Sequence, residues 1–133
     1  MLKDITANLM VKSVNKTIDF YKQLGFETQA TVPEKGTFNW AMMKRDNVKL
    51  MFQSRKNLIE ELPMLEERPI VGGLTFYILV EDVKAFKASL PNDVRIVKDL
   101  SITFYGATEI VIQDCNGYIL YFAENKNSVV NEN

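Results

Sequence analysis

The sequence predicts an α+β protein in which a strand–helix–strand–strand–strand unit is written twice. In each half, apolar residues switch from period two to helical spacing and back in the same order. The helix caps and end-turns recur with that pattern. The halves also align directly: Met10-Val11-Lys12-Ser13-Val14 matches Leu79-Val80-Glu81-Asp82-Val83 at an offset of 69, and Asn47–Phe52 matches Gly117–Phe122 at an offset of 70. A period this long, present twice, points to paired modules and not to a solenoid.

Ile5–Val11 reads as the first strand, with Ser13 as N-cap of a helix carrying Val14, Ile18, Tyr21 and Leu24 on one face and stopped by Gly25. Phe26–Val32, Thr37–Lys44 and Val48–Gln53 are the next strands, divided by Pro33-Glu34-Lys35-Gly36 and by Arg45-Asp46-Asn47. Asn57–Leu62 reads as a short linker helix ahead of Pro63, with Glu60, Glu61, Glu66, Glu67 and Arg68 as solvated charges. After Gly72-Gly73 the unit restarts. Leu74–Val80 is a strand, and Asp82 caps a helix with Val83, Phe86 and Leu90 that ends at Pro91-Asn92-Asp93. Val94–Lys98, Thr108–Gln113 and Tyr118–Ala123 complete the second set. The expected organisation is one domain over 1–124, made of module one (1–53), a linker (54–72) and module two (73–124). A polar, frayed tail follows over 125–133.

Composition removes several function classes. The 133 residues contain 47% hydrophobic and 25% charged side chains with a net charge of −1, so neither nucleic acid nor an anionic membrane is an expected partner. There is no histidine, which excludes Ser-His-Asp and Cys-His nucleophile systems and every imidazole metal site. A single cysteine, Cys115, excludes an intramolecular disulfide, and no basic side chain beside it in sequence would activate its thiol. The first residues read as a strand and not as a secretion signal, and no apolar run reaches membrane-spanning length, so a cytoplasmic location is expected.

Two motifs carry a resemblance. Leu9-x-Val11-x-Ser13-Val14-x-Lys16-Thr17-Ile18-x-Phe20-Tyr21-x-x-Leu24-Gly25-Phe26 opens the chain. Val80-x-Asp82-Val83, Tyr105-Gly106 and Asp114-x-Asn116-Gly117-Tyr118 follow in the second half. Together they resemble the vicinal oxygen chelate superfamily of glyoxalases, extradiol dioxygenases and bleomycin-resistance proteins, over nearly the whole chain to Glu124. The resemblance implies two βαβββ modules forming a curved mixed sheet around a ligand cavity. It also implies that the positions holding metal in metal-dependent members are Thr6, Met51, Thr75 and Tyr121. Two hydroxyls, a thioether and a phenol do not suit a divalent ion, so no metal and no cofactor is expected. Nor does Asp114-x-Asn116-Gly117 make a calcium loop, because Ala123 stands where the loop needs its closing glutamate.

Strand alternation then selects the cavity face. It takes Thr6, Asn8 and Met10 from the first strand, and Lys49, Met51 and Gln53 from the fourth. In module two it takes Thr75, Tyr77, Leu79, Ile119, Tyr121 and Ala123. Trp40 and Met42 join from the third strand, Tyr105 sits at the rim beside Phe104, and no further helix is expected to cover the face. The ligand-binding set is thus Thr6, Asn8, Met10, Trp40, Met42, Met51, Thr75, Tyr77, Tyr105 and Tyr121, a surface suited to an apolar or partly aromatic molecule. Glu109 is the one carboxylate placed to act as a base. The expected function is metal-free binding of a small molecule by a homodimer, as in antibiotic-sequestering members of the family. The alternatives are a metal-independent isomerase or lyase and a ligand-sensing module.

Overall fold

Two four-stranded mixed sheets with the same strand order make up the protein. The computed structural model describes residues 1–125, and the chain divides into a unit ending at Gly72 and a unit beginning at Gly73. The first unit runs β1 (Ala7–Val11), α1 (Val14–Gln23), β2 (Glu27–Val32), β3 (Trp40–Arg45), β4 (Val48–Ser54) and α2 (Arg55–Glu61), with a 3-10 turn over Pro63–Glu67. The second runs β5 (Thr75–Leu79), α3 (Val83–Ala88), β6 (Arg95–Ile102), β7 (Ala107–Gln113) and β8 (Ile119–Asn125). Strand orders are β1-β4-β3-β2 and β5-β8-β7-β6, with β1 parallel to β4, β5 parallel to β8 and the other pairs antiparallel. The repeat extends to register: Asn8 lies opposite Met51 as Tyr77 lies opposite Tyr121.

The caps form where the sequence places them. The Ser13 hydroxyl accepts from the Lys16 amide, and the Asp82 carboxylate from the Ala85 amide. Gly25 follows α1 with φ at +87°, and a Cβ there would stand 3.1 Å from the Arg45 guanidinium that donates to the Leu24 carbonyl. Each sheet buries one face against its helix. In the first unit, Leu9, Val11, Ala41, Met43, Leu50 and Phe52 are buried with Val14, Ile18 and Tyr21 of α1. The Tyr21 ring lies 4.8 Å from that of Phe52. In the second, Ile110, Ile112, Leu120 and Phe122 are buried with Val83 and Phe86, and Phe86 stacks on Phe122 at 4.0 Å.

Most boundaries move by one or two residues, and four differences have a visible place in the structure. The chain from Thr37 to Asn39 is not strand, because Asn15 of α1 holds the loop by accepting from the Phe38 amide and donating to the Gly36 carbonyl. Helix α3 stops at Ala88, where the Ser89 hydroxyl bonds the Phe86 carbonyl, so Leu90 lies beyond it. Strand β6 continues past Lys98 to Ile102. Its pairing with β7 shifts register between Ile96 and Lys98 and again before Ser101, which erases the alternation that marks a strand in sequence. Asn125 closes β8, and the rest of the expected tail, 126–133, lies outside the described residues. No helix among the described residues is long and apolar enough to cross a membrane.

Candidate functional site

In the first unit, the face turned away from α1 collects the residues that alternation selects. Register sets Asn8 and Met42 beside Met51, and Met10 and Trp40 beside Gln53. Trp40, Met42 and Met51 are half-buried and Asn8 is exposed. Met10 and Gln53 are buried, and here the expectation of an uncovered face needs correction. Helix α2 sets its polar side against this end of the sheet: Gln53 Nε2 donates to Asn57 Oδ1 at 2.7 Å and to Glu61 Oε2 at 3.0 Å, while Asn8 Nδ2 donates to Gln53 Oε1 at 2.9 Å. Glu61 is therefore not merely a solvated linker charge. The signal was present as Asn57 and Glu61, four positions apart and so on one face of the helix that follows Gln53. Arg55 completes the closure, its guanidinium 3.4 Å from the Met10 sulfur and donating to the carbonyls of Glu66 and Arg68.

The second unit places a carboxylate among aromatic rings. Glu109 on β7 is opposite Ala123 of β8, and Tyr77 is opposite Tyr121 one pair further along, so all four share the face away from α3. The Tyr77 hydroxyl donates to Glu109 Oε2 at 2.9 Å. The Tyr105 hydroxyl donates to the same oxygen at 2.6 Å. Tyr105 reaches it because the β6–β7 hairpin turns tightly, with Gly106 at φ +88° and the Ala107 amide bonded to the Thr103 hydroxyl. The Tyr77 and Tyr121 rings lie 5.7 Å apart. Burial, then hydrogen bonds with Tyr105 and Glu109, push the Tyr77 phenol well above its ordinary range, so it remains a proton donor at any physiological pH. Thr75 at the start of β5 is exposed, and Phe104 is fully exposed beside Tyr105. Sequence reasoning singled out Glu109, Tyr77 and Tyr105 separately; their meeting at one oxygen it did not contain. A groove of about 250 Å³ lined by Lys84, Leu100, Ile102, Thr108 and Glu124 lies away from this cluster, toward α3.

Comparison with known proteins now bears on this arrangement. The family model described as Glyoxalase/Bleomycin resistance protein/Dioxygenase superfamily matches residues 5–122. The chain belongs to that superfamily. Among solved structures, TioX from Micromonospora sp. ML1 is 18% identical with a TM-score of 0.71, covering 92% of this chain and 96% of its own. The bleomycin resistance determinant encoded on transposon Tn5 is 18% identical with a TM-score of 0.69, covering 94% and 99%. A bleomycin-binding protein complexed with bleomycin is 19% identical with a TM-score of 0.67, covering 94% and 100%. At these identities the likeness is one of fold. No curated protein matches the chain.

The four positions that the sequence resemblance assigns to metal ligands, Thr6, Met51, Thr75 and Tyr121, carry side chains of a kind that does not fit a divalent ion. Thr6 precedes β1, and the set supplies two hydroxyls, a thioether and a phenol. Among the described residues, no group of three or more His, Cys, Asp or Glu side chains could hold a metal ion. The end-turn is closed by the Asp114 side chain: buried Asp114 accepts at Oδ1 from the amides of Asn116 and Tyr118, both at 2.8 Å, with Gly117 at φ +98°.

Proposed function

We propose that this superfamily member binds a small apolar or partly aromatic molecule without a metal ion. The observation that carries the reading is the face of module two, where a buried carboxylate held by two phenols sits beside the Tyr77–Tyr121 pair. Aromatic walls supply contact area and the polar centre fixes orientation. Trp40, Met42 and Met51 offer a second half-buried aromatic and thioether surface in module one. The relative crystallised with bleomycin supports a small-molecule role for the fold. Thr6, Asn8, Met10 and Thr75 belong to the same proposed set, and a cytoplasmic location fits a chain whose only cysteine is Cys115.

A fluorescence screen of glycopeptides, flavonoids and quinones tests the reading. A ligand on the module-one face changes Trp40 emission, and Trp40 is the only tryptophan. A ligand on the module-two face loses affinity in Tyr121→Ala, and in Tyr121→Phe loses about 0.5–1.5 kcal/mol through the missing hydroxyl. Validated ligands that do neither place the pocket elsewhere. Metal content is checked by elemental analysis of protein purified without chelator, with less than 0.1 equivalent expected; one tightly held zinc, nickel, iron or manganese per chain refutes the metal-free part.

The proposed assembly is a homodimer. Tyr77, Leu79, Phe104 and Tyr105 of the second unit are all exposed, apolar side chains of the kind a partner chain covers. Light scattering at micromolar concentration is expected to give twice the chain mass, and monomer alone contradicts it. The second reading, a metal-independent isomerase or lyase, is favoured by one observation, the burial of Glu109 within reach of two phenol donors. It requires that Glu109→Gln abolish turnover while ligand affinity is retained.

A further inference from the structure

Glu109 is 5% exposed, yet no lysine or arginine among the described residues forms an ion pair with it. Lys98, which lies opposite the neighbouring Val111, is itself exposed and makes no such pair. Both phenols converge on Oε2 and leave Oε1 without a hydrogen-bond donor from the described residues. Oε1 is not sealed in. The one fully buried side-chain oxygen or nitrogen lacking a partner among the described residues is Thr28 Oγ1, so Glu109 Oε1 keeps some contact with solvent. A carboxylate withdrawn from water and met only by neutral donors keeps most of its charge uncompensated.

The rings around it suit a cation as well. Tyr77 is 49% exposed, Tyr105 is 43% exposed, and Tyr121 stands 5.7 Å from Tyr77. Aromatic faces attract positive charge, most strongly where water is partly excluded. A hard divalent ion would need more oxygen ligands than one carboxylate and its phenols offer. A cation carrying its own N–H donors needs only one acceptor and an apolar wall.

We propose that module two recognises a protonated organic amine or amidinium, its N–H on Glu109 Oε1 and its apolar portion against Tyr77 and Tyr121. This deepens the small-molecule reading and rests on it. The ligand class is defined by charge and by an N–H, so a neutral isostere of the same shape binds less well.

The test is a pair of probes, 2-phenylethylamine and 2-phenylethanol, titrated into full-length ¹⁵N-labelled protein at neutral pH. The amine is expected to shift amides of β5, β7 and β8 with at least about ten-fold higher affinity than the alcohol, the size expected of a charge-assisted hydrogen bond. Glu109→Gln, which keeps an acceptor for the phenols, is expected to bring the two affinities within a factor of two. Equal affinities in the unaltered protein, or an amine preference that survives Glu109→Gln, overturn the cation site and leave the ligand-binding reading standing. If neither probe shifts any amide of this face at millimolar concentration, both fall. The comparison of isosteres in the unaltered protein decides the matter even where the variant folds poorly.

Discussion

Phe52→Ala is expected to lower the free energy of unfolding by about 3–5 kcal/mol, whereas Met51→Ala, one residue earlier, costs about 1 kcal/mol. Phe52 is fully buried against Tyr21, with Ala41 opposite it on β3 and Leu9 on β1. Truncation leaves a cavity whose lining cannot collapse, because three strands and α1 border it. Met51 lies on the opposite face and is half-buried, so its truncation removes contacts without opening a closed void. The larger figure is a substantial share of the roughly 5–15 kcal/mol that holds a typical domain folded. Urea denaturation of both variants measures the contrast. Because a one-residue slip exchanges the faces of a strand, equal or reversed costs would refute the register of β4.

Asp114→Ala is expected to cost about 3 kcal/mol, and Asp114→Asn about 1 kcal/mol. The carboxylate is 6% exposed and accepts from two backbone amides at 2.8 Å, so alanine takes the acceptor from the buried Tyr118 amide and from the half-buried Asn116 amide. Asparagine retains an acceptor oxygen and loses only the charge. The turn sets where β8 begins, and β8 is the central partner of both β5 and β7. Loosening it therefore also weakens the placement of Tyr121 against Tyr77. Thermal unfolding gives the stability change, and the Tyr77 and Tyr121 ring resonances report the second effect. Unchanged stability in Asp114→Ala would mean that the turn is held by its backbone bonds alone.

The architecture was legible because it rests on local rules. Ser13 and Asp82 can satisfy helix-start amides wherever they stand, Gly25 and Gly117 tolerate positive φ, and period-two patterning in β1, β4, β5 and β8 divides core from outer face without reference to other strands. The outer-face membership of Met51, Tyr77 and Tyr121 follows from that patterning alone. What failed was also local in origin. Thr37–Asn39 has strand-like composition but is held by Asn15, and β6 pairs through bulges that erase its alternation.

The sequence by itself determined two βαβββ modules, their caps and turns, the face each strand turns to its helix, and the lack of histidine. Only the tertiary structure decided which outer-face residues touch. Tyr77 and Tyr105 stand 32 and 4 positions from Glu109, and they meet at one oxygen because parallel pairing of β5 with β8 and a tight β6–β7 hairpin bring them there. The same holds for α2, whose Asn57 and Glu61 reach Gln53 only once the linker folds back against β4. Alternation states on which side a side chain lies. Its neighbours depend on register and on the turns that set it, and those are sums over long-range packing that no single stretch of sequence contains.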